Sequence, residues 1–89
     1  MNKIELRNRL EQVMMCNIPK LEGKEELLKQ NHTKLADDLQ MDSFDIVTLQ
    51  VALEEMFLFE FNPLEDDFVG IFENMDSLEK FLCLKCGVE

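Results

Sequence analysis

Residues 42–59 read Asp-Ser-Phe-Asp-Ile-Val-Thr-Leu-Gln-Val-Ala-Leu-Glu-Glu-Met-Phe-Leu-Phe, and this stretch decides the fold. Ile46, Leu49, Leu53 and Phe57 recur at intervals of three and four residues. That spacing places side chains on one face of an α-helix. It predicts a long amphipathic helix over about residues 43–59.

Three further apolar residues of the same stretch lie off this stripe: Val47, Val51 and Met56. One buried helix face does not account for all of them. They are either part of a tightly wrapped core or a surface that contacts a partner, as in helical recognition.

Three more helices are predicted, over about residues 2–16, 63–72 and 76–86, with a long connection over 17–42. In the connection, the apolar residues available to contact the core are Leu27, Leu28, Leu35 and Leu39, and one helical turn is possible at 25–29. The expected fold class is all-α, a four-helix bundle with three longer helices and a short third one, and residues 1–89 form a single domain.

Capping patterns set the starts of the last two helices. Asn62 followed by Pro63 is typical of an N-cap and a first helical position. Asp76 with Glu79 three residues later fits a capping box, and Gly87 fits a helix stop.

The acidic residues are unevenly distributed along the chain. The formal net charge is -10, and residues 35–79 contain thirteen acids and no Lys or Arg. Such a field repels nucleic-acid phosphate and anionic lipid, and it attracts basic protein surfaces. The expected partners are therefore proteins with Lys/Arg patches, with no nucleic acid.

The chain has no recognisable leader and no stretch of membrane-spanning length, so we expect a cytoplasmic protein without membrane insertion. Three cysteines, an odd number, fit reduced thiols better than a disulfide framework. A monomer is expected.

Ser43 is the leading candidate for a functional residue. It stands where a polar loop meets the long helix, between Asp42 and Asp45. The unpaired N–H groups and the positive dipole at a helix N-terminus favour a phosphate-linked group there. The two flanking carboxylates are placed to help position a metal-nucleotide donor during attachment.

The run Asp38-Leu-Gln-Met-Asp-Ser-Phe-Asp45, followed by Leu49, Ala52-Leu-Glu-Glu55 and Phe57, resembles acyl carrier proteins over roughly residues 2–84. The resemblance implies a non-catalytic carrier with 4'-phosphopantetheine covalently attached to Ser43, the acyl cargo being held as a thioester. Fatty-acid, polyketide or related biosynthesis would be its setting.

By the same resemblance, the partners are a phosphopantetheinyl transferase and acyl-processing synthase enzymes with basic patches. Six residues fall on the partner-facing surface: Val47, Val51, Glu54, Glu55, Glu65 and Asp66. Three others match core positions that also line the acyl-binding interior: Leu49, Leu53 and Phe57.

The chain departs from the pattern of fatty-acid carriers at several positions. Thr48 and Met56 replace acids, Gln40 replaces a frequent glycine, and Leu58 and Phe59 make the helix end unusually apolar. Two alternatives stay open: a peptidyl or aminoacyl carrier of the same fold, and an unmodified acidic helical adaptor that binds a basic partner.

Other candidate functional sites have less support from the sequence than Ser43. Met75-Asp-Ser-Leu-Glu79 nearly repeats the Ser43 motif, but Ser77 opens the terminal helix, and capping accounts for it. Cys83 and Cys86 have redox spacing without a preceding strand or a helix N-terminus, and only Cys16 and His32 could complete a zinc site with them.

Two further patterns are better explained without a site. A hydrolase triad of His32, Ser43 and an aspartate would need a Gly-x-Ser-x-Gly nucleophile elbow, which this sequence lacks. The acids of 65–67 lack the alternating spacing and glycine of a calcium loop. No metal site is predicted.

Overall fold

A computed structural model describes residues 1–88 of the chain. These residues form five α-helices: α1 Lys3–Asn17, α2 Glu25–Leu28, α3 Ser43–Phe57, α4 Phe68–Ile71 and α5 Met75–Cys86. A 3-10 turn, Pro19–Leu21, follows α1. In this part of the chain there is no strand, only an isolated bridge between Lys34 and Asn74. The all-helical prediction is confirmed.

The three long helices build the core. α1 packs against both α3 and α5, and its stripe of Leu6, Leu10, Val13 and Met14 is buried. From the other two helices the buried partners are Leu49, Leu53, Phe57, Leu78 and Leu82. Each fully buried Leu side chain contributes about 1.5–3 kcal/mol through removal of apolar surface from water.

The connection between α1 and α3 is attached to this core along much of its length. Leu28, Leu35 and Leu39 are fully buried, while Leu27 is half-buried. The backbone of 31–35 also bonds to the start of α5, where the Met75 N–H donates to the Thr33 carbonyl at 3.0 Å. The connection therefore holds a fixed path to Ser43.

The helix predicted over 63–72 forms only in part, because it begins five residues later than predicted, at Phe68. The Asp66 side chain instead closes a single turn, in which its carboxylate accepts the backbone N–H of Asn62 at 2.6 Å. The helix forms only later, as the four-residue α4, with Asp67 as its N-cap. Asn-Pro followed by acids is equally suited to such an isolated turn.

The predicted cap of the last helix was wrong. Asn74, two residues before Asp76, is the N-cap of α5. The Asn74 side chain accepts the Ser77 N–H at 2.8 Å, and the Asn74 N–H donates to the Ser77 hydroxyl at 3.2 Å. Ser77 therefore has the capping role that the sequence suggested, as the third residue of the helix.

None of the helices formed by residues 1–88 is long and apolar enough to cross a bilayer.

Candidate functional site

Ser43 is the first residue of α3, and its side chain is exposed. The helix is capped by Asp42, which accepts the Asp45 N–H at 2.9 Å, while the Asp45 carboxylate accepts the Asp42 N–H at 3.1 Å. Because these two aspartates cap the helix for each other, the Ser43 hydroxyl is not needed for capping. Within residues 1–88 it makes no side-chain hydrogen bond.

The similar serine at the start of α5 is in a different state. The Ser77 hydroxyl is half-buried and donates toward the carbonyls of Ile71 and Asn74, each at 3.0 Å. A hydroxyl engaged in this way is poorly placed to be modified. Geometry thus separates the two motifs that look alike in sequence.

Lys20, in the 3-10 turn after α1, reaches the carboxylates beside Ser43. Its Nζ lies 2.5 Å from Asp45 Oδ2 and 3.8 Å from Asp42 Oδ2, and it donates to the Gln40 carbonyl at 3.1 Å. The hydrogen bond with Lys20 lowers the pKa of Asp45, and the same bond raises the pKa of Lys20. Sequence reasoning missed Lys20, because nothing local links it to residues 20 and more positions away.

An apolar groove of about 370 Å³ opens beside Ser43. Its walls come from the end of the connection, from α3 and from α4. The lining residues are Ala36, Met41, Ser43, Ile46, Val47, Gln50, Phe68, Val69 and Phe72. The volume lies within the range of small-molecule sites, which are mostly apolar with a few polar groups.

This groove is separate from the core positions that the resemblance associates with an acyl-binding interior. Leu49, Leu53 and Phe57 are core residues, as predicted, but they do not line the groove at Ser43. Phe68, Val69 and Phe72 line it instead. Sequence reasoning did not assign these three residues to the site, because α4 begins later than the capping pattern indicated.

The far wall of the groove is part of an aromatic cluster. The ring of Phe61 lies 5.6 Å from those of both Phe68 and Phe72, and it stacks on Phe81 at 5.3 Å. Such contacts add to the energy of burial and hold rings in place. The wall provided by Phe68 and Phe72 is therefore supported from behind.

The predicted partner-facing residues fall into two groups. Val47 and Val51 are 56% and 50% exposed, and Met56 is 44% exposed, so the surplus apolar residues of α3 are surface and not core. Glu55 and Glu65 are exposed as well.

The carboxylates of Glu54 and Asp66 instead form hydrogen bonds and an ion pair within the fold. The Glu54 carboxylate accepts the Phe61 N–H at 2.8 Å. Asp66 closes the turn at Asn62, and Lys85 lies 3.8 Å from it.

Residues 1–88 do not assemble the metal, thiol-redox or hydrolase sites that were considered as alternatives. No group of three or more His, Cys, Asp or Glu is arranged to hold a metal ion there. Burial raises the pKa of the thiols of Cys83 and Cys86, which disfavours the thiolate that redox exchange requires. His32 is exposed in the connection.

Comparison of the chain with protein-family models, with curated proteins and with solved structures gives no match. The site is therefore interpreted from its geometry. An exposed, unbonded hydroxyl at the start of a 15-residue helix, next to an apolar groove, suits attachment of a phosphate-linked group.

Proposed function

We propose that this chain is a carrier protein of the acyl-carrier type, with 4'-phosphopantetheine attached to Ser43. The thiol of this group would hold an acyl intermediate as a thioester for fatty-acid, polyketide or related biosynthesis. The observation that carries the proposal is the free, exposed Ser43 hydroxyl at the N-terminus of α3, beside an apolar groove.

The residues around Ser43 fit this cofactor. A phosphodiester on the first residue of α3 would lie at the positive end of the helix dipole, where an anion is tolerated. The groove lined by Ile46, Val47 and Phe68 offers apolar surface to the arm or its cargo. The thiol that carries the cargo is supplied by the bound group, and this chain would present it to other enzymes without catalysing the reaction.

The attachment step is a group transfer from coenzyme A. The Ser43 Oγ forms a bond to the phosphorus that carries the pantetheine, and the bond from that phosphorus to adenosine 3',5'-bisphosphate breaks. The electron pair leaves with the bisphosphate, and the hydroxyl proton passes to a base of the transferase. The proposed partners are thus a phosphopantetheinyl transferase and synthase enzymes with basic patches, in the cytoplasm.

Intact mass spectrometry tests the proposal directly. The apo protein is incubated with coenzyme A, Mg²⁺ and each of several phosphopantetheinyl transferases. We expect a gain of one phosphopantetheinyl group, lost in Ser43→Ala and retained in the matched control Ser77→Ala. No gain with any transferase, or a gain that survives Ser43→Ala, would contradict the assignment. Loading with acyl and aminoacyl donors then separates an acyl carrier from a peptidyl or aminoacyl carrier.

A second candidate is an unmodified acidic adaptor. It is favoured by the apolar surface of α3, where Phe44 is 78% exposed and is followed by exposed Val47 and Val51 in the acidic half of the chain. Such a surface is typical of protein interaction sites. The adaptor predicts no mass gain in the experiment above, together with binding to a basic protein surface that weakens as salt is raised.

A further inference from the structure

Lys20 connects two parts of the molecule that lie on either side of Ser43 in the sequence. Its ammonium group bonds to the Gln40 carbonyl, three residues before the serine, and to the Asp45 carboxylate, two residues after it. Lys20 itself lies in the 3-10 turn that follows α1. One cation thus bridges the turn, the loop and the first turn of α3.

The loop at this point has a backbone conformation that needs support. Gln40 has φ +56°, in the left-handed region that residues other than Gly and Asn seldom adopt. The bond from Lys20 to its carbonyl fixes the peptide that follows it. The loop that leads to Ser43 is therefore held at its strained residue.

The positive charge of Lys20 also changes the electrostatic field of the carboxylates beside Ser43. Residues 35–79 hold thirteen acids and no Lys or Arg, so the cation beside Ser43 has to come from another part of the chain. Asp45 is paired with Lys20 at 2.5 Å, whereas Asp42 lies farther from it and has a 66% exposed side chain. The pKa of Asp45 is lowered and that of Lys20 is raised, so both groups are charged at neutral pH.

An anionic donor has to approach the Ser43 hydroxyl past these carboxylates. Coenzyme A carries several phosphate charges, and each uncompensated carboxylate nearby would oppose its approach. Pairing with Lys20 removes much of the field of one of the two. The same contact fixes the loop, so the hydroxyl is presented in one position.

We propose that Lys20 is a positioning residue for the modification of Ser43, acting by fixing the loop at Gln40 and by offsetting the charge of Asp45 beside the reacting hydroxyl. This inference rests on the proposed carrier function. It adds a residue that lies 23 positions before the serine and outside the motif. Lys20 takes no part in bond making or breaking.

The test compares initial rates of loading, followed by intact mass, in three variants. Lys20→Met keeps the length of the side chain and removes its charge, and Lys20→Arg keeps the charge. Lys24→Met is the control, because Lys24 lies in the same connection and forms none of the ion pairs found among residues 1–88. We expect kcat/KM to fall roughly tenfold in Lys20→Met at low salt, the size expected for one unit charge near a surface, and to stay within about threefold of wild type in the others.

Two further measurements separate charge from mere structural support. The deficit of Lys20→Met should shrink as salt rises, because screening weakens the uncompensated field of Asp45. In an Asp45→Asn background, the deficit of Lys20→Met should be smaller, because the nearest charge that Lys20 offsets is gone, whereas its bond to the Gln40 carbonyl and its 3.8 Å contact with Asp42 remain to be lost. Thermal unfolding of each variant shows whether it is folded at the assay temperature.

The possible outcomes separate the role of Lys20 from the proposed carrier function on which it rests. If wild type is loaded and Lys20→Met is loaded equally fast at low salt, the role of Lys20 is overturned and the carrier function stands. The role is also overturned if Lys20→Arg is as slow as Lys20→Met, or if Asp45→Asn leaves the deficit undiminished. If no transferase loads the wild type, the carrier function fails and the role of Lys20 fails with it.

Discussion

Replacing Arg7 by methionine should destabilise the fold more than any other single change of a charged side chain in α1. The Arg7 side chain is only 12% exposed and forms an ion pair with Glu79 of α5. One Nη donates to the Asn31 side chain and the other to the Leu28 carbonyl, each at 2.8 Å. Its Nε lies 3.2 Å from a Glu11 oxygen, which makes an ion pair but does not meet the geometry of a hydrogen bond. Arg7 thus links α1, α2 and α5.

The magnitude follows from what the substitution leaves behind. Glu79 is 12% exposed and loses its cation, which for a buried pair costs about 3–5 kcal/mol. Glu11 keeps Lys29 at 3.6 Å, and methionine retains the apolar stem, so the lower end applies. We expect a loss of about 3 kcal/mol, against a total stability of about 4–13 kcal/mol for a chain of this length. The midpoint of thermal unfolding should fall by about 12–24 °C.

Urea unfolding at pH 7 checks this value through the midpoint and the slope. Arg7→Lys should recover little, because an ammonium group cannot reproduce the planar fork that contacts four partners. Arg9→Met is the matched control: its ion pair with Glu5 is longer, at 3.5 Å, and 46% exposed, so it should change stability by less than about 0.5 kcal/mol. If Arg7→Met unfolds within about 0.5 kcal/mol of wild type with an unchanged slope, Arg7 does not hold the three helices together.

Two further predictions concern the ends of α3. Because the pKa of Asp45 is lowered by Lys20, its stabilising effect is complete above the unfolded value of about 3.9 and is lost as pH falls through the lower folded value. Urea midpoints from pH 7 to pH 2 should therefore fall less steeply for Asp45→Asn than for wild type, and parallel curves would contradict the pairing. At the other end, Leu58 is 89% exposed with φ +57°, so Leu58→Gly should stabilise the protein by about 0.5–1 kcal/mol while Leu58→Ala should not. Equal midpoints for the two variants would argue against strain at this cap.

The long helices were predictable because their sequence repeats in phase with the helix. α3 begins at the predicted Ser43 but ends at Phe57, two residues before the predicted end, and α1 and α5 lie within one residue of the predicted bounds. In α3, the predicted stripe residues Leu49, Leu53 and Phe57 are buried and Ile46 is half-buried, since the core lies on one side of the helix. Periodicity of this kind carries over from sequence to structure without knowledge of distant contacts.

Short elements and caps were harder to predict for a physical reason. Asn, Asp and Ser form the same side-chain bonds to nearby backbone in caps and in isolated turns. The run from Asn62 satisfied those bonds in a turn, so α4 was left to begin at Phe68. Around α5, Asn74 and Asp76 were both suitable caps, and pairing of 31–35 with 73–76 selects the first of them.

At the candidate site, the serine and its flanking acids were predictable from a local motif, whereas the groove and Lys20 were not. The groove needs α4 to be placed against α3, which depends on packing of the aromatic cluster around Phe61. The contact of Lys20 with Asp45 spans 25 positions, and an isolated lysine in a loop has no pattern that would single it out. Both features arise from tertiary structure alone.

The acidic charge of residues 35–79 is partly a requirement of the fold and not wholly a docking signal. Asp42 and Asp45 cap α3, Glu54 holds the backbone of Phe61, and Glu79 pairs with Arg7. Asp45 and Glu79 are paired with cations, which offsets their contribution to a field that attracts a partner, whereas Asp42 and Glu54 keep their charge but are held by hydrogen bonds within the fold. For the proposed carrier, the charge available to steer a basic enzyme is then concentrated in exposed acids such as Glu55, which lies on the same helix as the exposed side chains of Val47 and Val51. Reversal of Glu55 tests docking cleanly, whereas reversal of Glu54 would also disturb the turn that supports the groove.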